Sequence, residues 1–356
     1  MAAALDAARR GWGRTAPNPM VGAVVVRGSE VVATGWHAEF GGPHAEAMAL
    51  AQAGDRARGA TVYVTLEPCA HTGKTPPCAD ALIRAGVARV VIAARDPNPV
   101  ARGGAERLRA AGIEVVAGIR EREALDLNAS FHFSFGAERP WVTLKLALSI
   151  DAAIADAGGR SKWITGPAAR AGGHALRAGS DAVAVGIGTA LADDPSLTVR
   201  DAAPPRVPPV RVVFDRRARL PLESALARTA REAPVVVIAQ AAGAGRRAAL
   251  EGAGVEVLDA PTLEGALAVL RGRGIASLLV EGGAALAAAF LERAFVDRLV
   301  IFQAPVVLGA GALRPFERTP AADISAATRL RVVERETFGD DLMTVYALRE
   351  LPCSPD

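Results

Sequence analysis

Cysteine is nearly absent, with three in 356 residues, and aromatic residues make up only 4%. An odd cysteine count with two of the three clustered argues against the disulfide framework of a secreted domain. Few aromatics and no run of Lys/Arg leave little for a base-stacking, phosphate-gripping surface, so nucleic acid is not an expected partner. The net charge is only +3, and lysine occurs only at Lys74, Lys145 and Lys162, arginine carrying the rest of the positive charge. No uninterrupted apolar run approaches the ~18 residues of a membrane span. The start, MAAALDAARRGWGR, lacks the apolar core of a signal peptide. These absences lead to the expectation of a cytoplasmic protein with no membrane partner. What is present is globular material, 51% hydrophobic and 22% charged, at a length that suggests about two domains.

Strand and helix patterns alternate along both halves. MVGAVVV (20–26) and EVVATGWH (30–37) read as paired strands around a turn. GPHAEAMALAQAG (42–54) has proline at the helix start and glycine at its end. TVYVTLE, PPCADALIRAG, ARVVIAA, GGAERLRAAG and IEVVAG continue as strand, helix, strand, helix and strand. A helical linker is expected over 119–140, closed by Pro140. Beyond it WVTLKLALSI, DAVAVGI, VRVVFD, PVVVIA, VEVLD, ASLLVEG and RLVIFQAPVVLG read as strands. The pattern predicts two α/β domains, 1–118 and 141–350, with helices covering their sheets.

LEPCAHTGKTPPC (66–78) holds two of the three cysteines, Cys69 and Cys78. Taken singly, a buried cysteine or histidine is most often core packing. Here a third ligand type precedes them, because PHAE supplies His44 with Glu46 two positions later. Three protein ligands plus a water is the catalytic zinc arrangement, whereas structural sites close with four. His44 and Cys78 are each expected at a helix start, where the dipole favours thiolate. Glu46 has the chemistry to take a proton from activated water and pass it to a leaving amine. H-x-E followed by P-C is the zinc-deaminase signature, although eight residues rather than two separate the cysteines here.

APNPMVGAVVV, GWHAEFGGPHAEAMAL, TVYVTLEPCAHTGKTPPCADALI and ARDPNP closely resemble the N-terminal half of the bifunctional riboflavin-biosynthesis deaminase–reductases. RPWVTLKLALSID, SKWITGPAAR, LRAGSDAVAVGIGTALADDPSLTVR and LLVEGG resemble their reductase half. The resemblance implies a cytidine-deaminase-like three-layer domain followed by a dihydrofolate-reductase-like α/β domain, in a homo-oligomer. It implies zinc-dependent deamination of 2,5-diamino-6-ribosylamino-4(3H)-pyrimidinone 5′-phosphate. NADPH-dependent reduction of the product's ribosyl group to ribityl would follow. His44, Cys69 and Cys78 would then hold Zn²⁺ and Glu46 would shuttle protons. Asn18, His37, His71 and Lys74 match positions lining the deaminase pocket.

In the second half, GIGT (186–189) follows a strand but lacks the third glycine of a dinucleotide fingerprint, Leu191 standing there. LLVEGG followed by a helical run is more informative, since two glycines let backbone N–H groups approach a phosphate. By resemblance, Lys145, Ser161, Thr165, Arg177, Asp193, Leu197, Arg200 and Glu281 would contact the substrate. Ala147, Trp163, Thr189 and Asp193 would contact the cofactor, as would Gly282, Gly283, Ala284, Ala285, Leu286, Ala287, Ala288 and Ala289. Two positions depart from the family pattern. Ala152 replaces a glycine after the first reductase strand, and Arg216 stands where a small polar residue is usual. They leave open a deaminase whose reductase half is silent or takes another substrate.

Overall fold

The computed structural model describes residues 1–72, 76–316, 323–325, 327 and 329–353. The chain divides into two compact units, 1–136 with 351–356, and 137–350.

The first unit opens with α1 (Ala2–Arg9), then β1 (Gly22–Arg27), β2 (Glu30–Trp36), α2 (Ala45–Ala53), β3 (Thr61–Leu66), α3 (Cys78–Ala85), β4 (Arg89–Ala94), α4 (Gly104–Ala110) and β5 (Glu114–Val116). Two short helices, α5 (Glu121–Leu127) and α6 (Ala129–Ser134), occupy the segment expected as a linker, and both count with this unit. The sheet runs β2-β1-β3-β4-β5, antiparallel at β1 and parallel from β3 to β5. The strands contribute to two cores. Val62, Val64, Val90 and Ile92 meet Ala45, Ala49 and Leu82 of α2 and α3 on one side. Leu66 and Ala93 meet Leu5 and Leu125 of α1 and α5. The result is three layers. Gly35 lets α2 approach β2, since a Cβ there would lie 2.3 Å from Ala45 O.

The second unit contains β6 (Trp141–Ser149), α7 (Pro167–Ala178), β7 (Ala182–Gly186), α8 (Ile187–Asp193), β8 (Val210–Phe214), α9 (Ala225–Arg228), β9 (Val235–Ala239), α10 (Ala244–Gly252), β10 (Glu256–Asp259), α11 (Leu263–Gly272), β11 (Ser277–Glu281), α12 (Ala284–Glu292), β12 (Arg298–Ala304), β13 (Arg331–Phe338) and β14 (Asp341–Ala347). The sheet order is β10-β9-β8-β7-β11-β6-β12-β14-β13. Val142, Leu144, Ala184, Val212 and Val236 face α11 and α12, while Val183, Val185, Val213 and Val237 face α8 to α10. Burial on both faces is why these strands read as continuous apolar runs. The chain steps outward from β6 to β10, then returns to insert β11 between β7 and β6. Open α/β sheets bind ligands at the carboxyl ends of strands flanking such a switch point.

RLVIFQAPVVLG was expected as one strand but stops at Ala304, because Pro305 has no N–H to donate to the ladder. Among the described residues no helix is long and apolar enough to cross a membrane.

Candidate metal centre and cofactor cleft

His44 precedes α2 as its N-cap, Cys78 is the first residue of α3, and Cys69 lies in the loop after β3. The three ligand atoms lie within 4.8 Å of one another. His44 Nδ1 is 3.7 Å from Cys69 Sγ and 3.3 Å from Cys78 Sγ. Tetrahedral zinc, with bonds of about 2.3 Å to sulfur and 2.0–2.1 Å to nitrogen, requires sulfur–nitrogen separations of about 3.6 Å. The donor set and its spacing fit zinc.

The electrostatics suit deprotonated ligands. A hydrogen bond from the Cys78 thiol, helped by His44 and the Cys78 N–H, pulls the Cys69 thiol down to about 4. The same contact with Cys69, together with burial, pushes the Cys78 thiol up. One thiolate therefore stands ready, and the second proton leaves as a metal binds. Hydrogen bonding to Cys69 raises His44. Glu46, in the first turn of α2, is 3% exposed, and burial raises its carboxyl.

Two of the expected pocket residues adjoin this cluster. His37 Nδ1 lies 2.9 Å from the Pro43 carbonyl, which can only accept, so Nδ1 carries the proton. Nε2 is then free to accept from Asn18 Nδ2 at 3.2 Å. Burial lowers the His37 pKa, which keeps this neutral arrangement. The His37 and His44 rings meet edge-on at 5.5 Å. His71 has a buried Nδ1 without a hydrogen-bond partner among the described residues. Lys74 lies outside the described residues.

Sequence reasoning passed over two acids. Glu67, 7% exposed, accepts from Gly103 N at 3.0 Å and Ala105 N at 3.1 Å. Asp96, in ARDPNP, is pushed up to about 6 by burial and by the charge of Glu67. The available signal was their place inside the two motifs LEPC and ARDPNP.

In the second unit, Lys145 and Glu281 are paired across β6 and β11. Arg177 of α7 grips Glu281 through two hydrogen bonds, 2.5 and 2.9 Å, both side chains 14% exposed. Burial alone would raise Glu281, but Arg177 and then Lys145 hold it down at about 2. Burial lowers the Lys145 ammonium. Arg177 also donates to Thr198 O at 2.9 Å, and Arg200 to Thr198 Oγ1 at 3.1 Å, so both arginines meet on the loop after α8. Ser161 donates to Asp193 at 3.2 Å. Thr165 is buried, and Trp163 is exposed with Arg170 stacked over it at 4.5 Å.

Ala147 sits on β6 opposite Phe302. Gly283 caps α12, donates to Thr189 Oγ1 at 3.2 Å, and would bring a Cβ equally close to that oxygen. Gly282 would place one 3.2 Å from Leu286 Cβ. The two glycines and the N-terminus of a nine-residue helix form a cradle that fits a cofactor phosphate. Ala284, Ala285, Leu286 and Ala289 are not buried, whereas Ala287 and Ala288 are, because the inward face of α12 packs on the sheet. The Leu197 side chain is likewise in the core, 2% exposed.

Comparison with known proteins accounts for both units. Residues 1–94 match the family model of the cytidine and deoxycytidylate deaminase zinc-binding region, and residues 140–344 match the RibD C-terminal domain. The riboflavin biosynthesis protein RibD of Aquifex aeolicus is 43% identical over 348 residues, covering 97% of each chain. The chain belongs to the RibD family. RibD of Escherichia coli K12 is 43% identical over 336 residues, covering 88% of each chain. The solved structure of Acinetobacter baumannii RibD superposes with a TM-score of 0.80 at 40% identity, covering 97% of this chain and 96% of that one. A Thermotoga maritima structure gives 0.80 at 38% identity with the same coverage. It is described as a diaminohydroxyphosphoribosylaminopyrimidine deaminase/5-amino-6-(5-phosphoribosylamino)uracil reductase.

As a member of that family, the chain is a bifunctional enzyme of riboflavin biosynthesis, a zinc-dependent deaminase joined to an NADPH-dependent reductase. Its two departures from the family pattern have distinct surroundings. Ala152 adopts φ +63°, the left-handed region that glycine occupies freely. Hydrogen bonds from Ala152 N to Ser149 O and from Ala153 N to Ser149 Oγ hold it there. Arg216 follows β8, exposed, its carbonyl accepting from Gln240 N and Ala241 N.

Proposed function

We propose that the first unit deaminates 2,5-diamino-6-ribosylamino-4(3H)-pyrimidinone 5′-phosphate and that the second reduces the resulting 5-amino-6-(5-phosphoribosylamino)uracil to its ribityl form. The observation that carries the first step is a buried carboxyl, Glu46, beside a three-ligand cluster. A structural zinc site closes with four ligands and needs no such acid. His44, Cys69 and Cys78 would hold zinc, which would supply the Lewis acid that makes water nucleophilic at neutral pH. Glu46 takes the proton of that water and returns it to the departing amine; its raised pKa favours the two-way transfer. Asn18, fixed by neutral His37, presents an amide edge able to read a pyrimidine. His71 adjoins them in this reading, and Lys74 is assigned to the same pocket by the family resemblance alone.

In the second unit NADPH would supply the hydride for the ribose C1′, the bond from C1′ to the ring oxygen breaking as that oxygen takes up a proton. Gly282, Gly283 and the first turn of α12 hold cofactor phosphate, with Thr189, Ala147, Trp163 and Asp193 alongside. Lys145, Arg177, Glu281, Ser161, Thr165, Arg200 and the backbone at Leu197 orient the sugar phosphate. The boundaries 1–118, 119–140 and 141–350, a cytoplasmic homo-oligomer, and no nucleic-acid or membrane partner belong to the same reading. Glu46→Gln tests it. Ammonia release should fall by about 10²–10⁴-fold with zinc content unchanged; full activity in that variant would remove Glu46 from the mechanism.

A further inference from the structure

We propose that Glu67 is a positioning residue for the metal, holding the loop that carries Cys69 and so setting how tightly the cluster binds zinc. Glu67 lies two residues before Cys69, and its carboxylate is bonded to the segment 96–105. Its Oε1 accepts from Gly103 N and Ala105 N at 3.0 and 3.1 Å, and Oε2 accepts from Asp96 N at 3.4 Å. The next residue is held by shape, since a Cβ on Gly104 would lie 1.7 Å from Pro68 O. On the far side of Cys69, Ala70 N donates to Ala101 O at 2.9 Å.

The ligand is thus fastened before and after by one segment, 101–105, from which no residue belongs to the ligand set. Arg107 of α4 extends the arrangement to the second cysteine. It donates to Ala70 O at 3.2 Å and pairs with Asp80 of α3, the helix that begins at Cys78. The α4 region therefore fixes both cysteines relative to each other. Groups that orient metal ligands in this way typically contribute 10–100-fold to metal affinity.

The test measures the zinc dissociation constant of the full chain by chelator competition for Glu67→Ala, Glu67→Gln and Gly104→Ala. Glu67→Ala strips three backbone N–H groups, those of Asp96, Gly103 and Ala105, of their acceptor and should weaken zinc by about 10–100-fold. Glu67→Gln retains one acceptor oxygen and should lose less. Gly104→Ala displaces Pro68 without touching Glu67 and should also weaken zinc. A merely structural Glu67 would lower the melting temperature of the metal-free variants while leaving the zinc constant of the folded protein at the wild-type value. That result overturns the proposal, as does unchanged zinc affinity in Gly104→Ala. If Glu67→Ala does not fold, the Gln and Gly104 variants decide alone, with NADPH binding by the second unit as the control for chain integrity.

Discussion

Glu281→Gln isolates the electrostatics of the reductase cleft. Glu281 is the carboxylate between Arg177 and Lys145, and all three groups are largely withdrawn from water. Its carboxyl falls from the ordinary 4.5 to about 2. A depressed carboxylate contributes stability that is present above its unfolded value and lost as pH falls through the folded one. At 1.36 kcal/mol per unit the contribution at pH 7 is about 3 kcal/mol, and at pH 3 about 1 kcal/mol. The first figure agrees with the 3–5 kcal/mol typical of stripping one partner from a buried ion pair. For a domain of this size each kcal/mol shifts the melting temperature by roughly 2–4 °C. Glu281→Gln should therefore lower the melting of the second unit by about 6–12 °C at pH 7. Calorimetry repeated at pH 3 should show most of that gap closed, because the unfolded chain then protonates Glu281 and folding must release that proton. An equal penalty at both pH values would refute the charge argument and leave packing as the cause.

Three further outcomes follow from other parts of the molecule. Ala152→Gly relieves a left-handed alanine at φ +63°; the strain, less glycine's extra unfolded freedom, predicts a gain of roughly 0.5–1 kcal/mol in chemical denaturation, with NADPH oxidation retained. Chelating the metal should abolish ammonia release while sparing NADPH oxidation when the deaminated intermediate is supplied, and an assay of both products checks it. Acidification should release zinc as His44 and the thiolates take up protons, so zinc content measured after dialysis across pH 7 to 4 should fall in parallel with deamination.

The central strands were legible because burial on both faces leaves long apolar runs in the sequence, as in β6 and β9. The metal cluster was legible because cysteine is so scarce that its pairing with H-x-E stands out. The alanine-rich α1 was not, since alanine gives little hydrophobic contrast, although Ala4, Leu5, Ala7 and Ala8 are all buried. Nor was the hairpin β13–β14. Its first strand is an edge carrying Glu334, Arg335 and Glu336, and is mostly exposed, so no alternation shows. Glu67 escaped notice because its partners are backbone N–H groups 36 and 38 residues further on, which only the fold brings together. The Arg177–Glu281 pair spans 104 residues for the same reason; the resemblance named both residues, but their mutual contact needed the sheet order.

A paired assay on zinc-loaded protein tests the two-step reading most directly. The diaminopyrimidine ribotide is supplied with NADPH, and ammonia release and NADPH oxidation are followed in one cuvette. Oxidation that begins only after ammonia appears, and that vanishes with Glu46→Gln, is the expected result. Ammonia release with no oxidation would contradict it, leaving a deaminase joined to a reductase domain that does not accept its product.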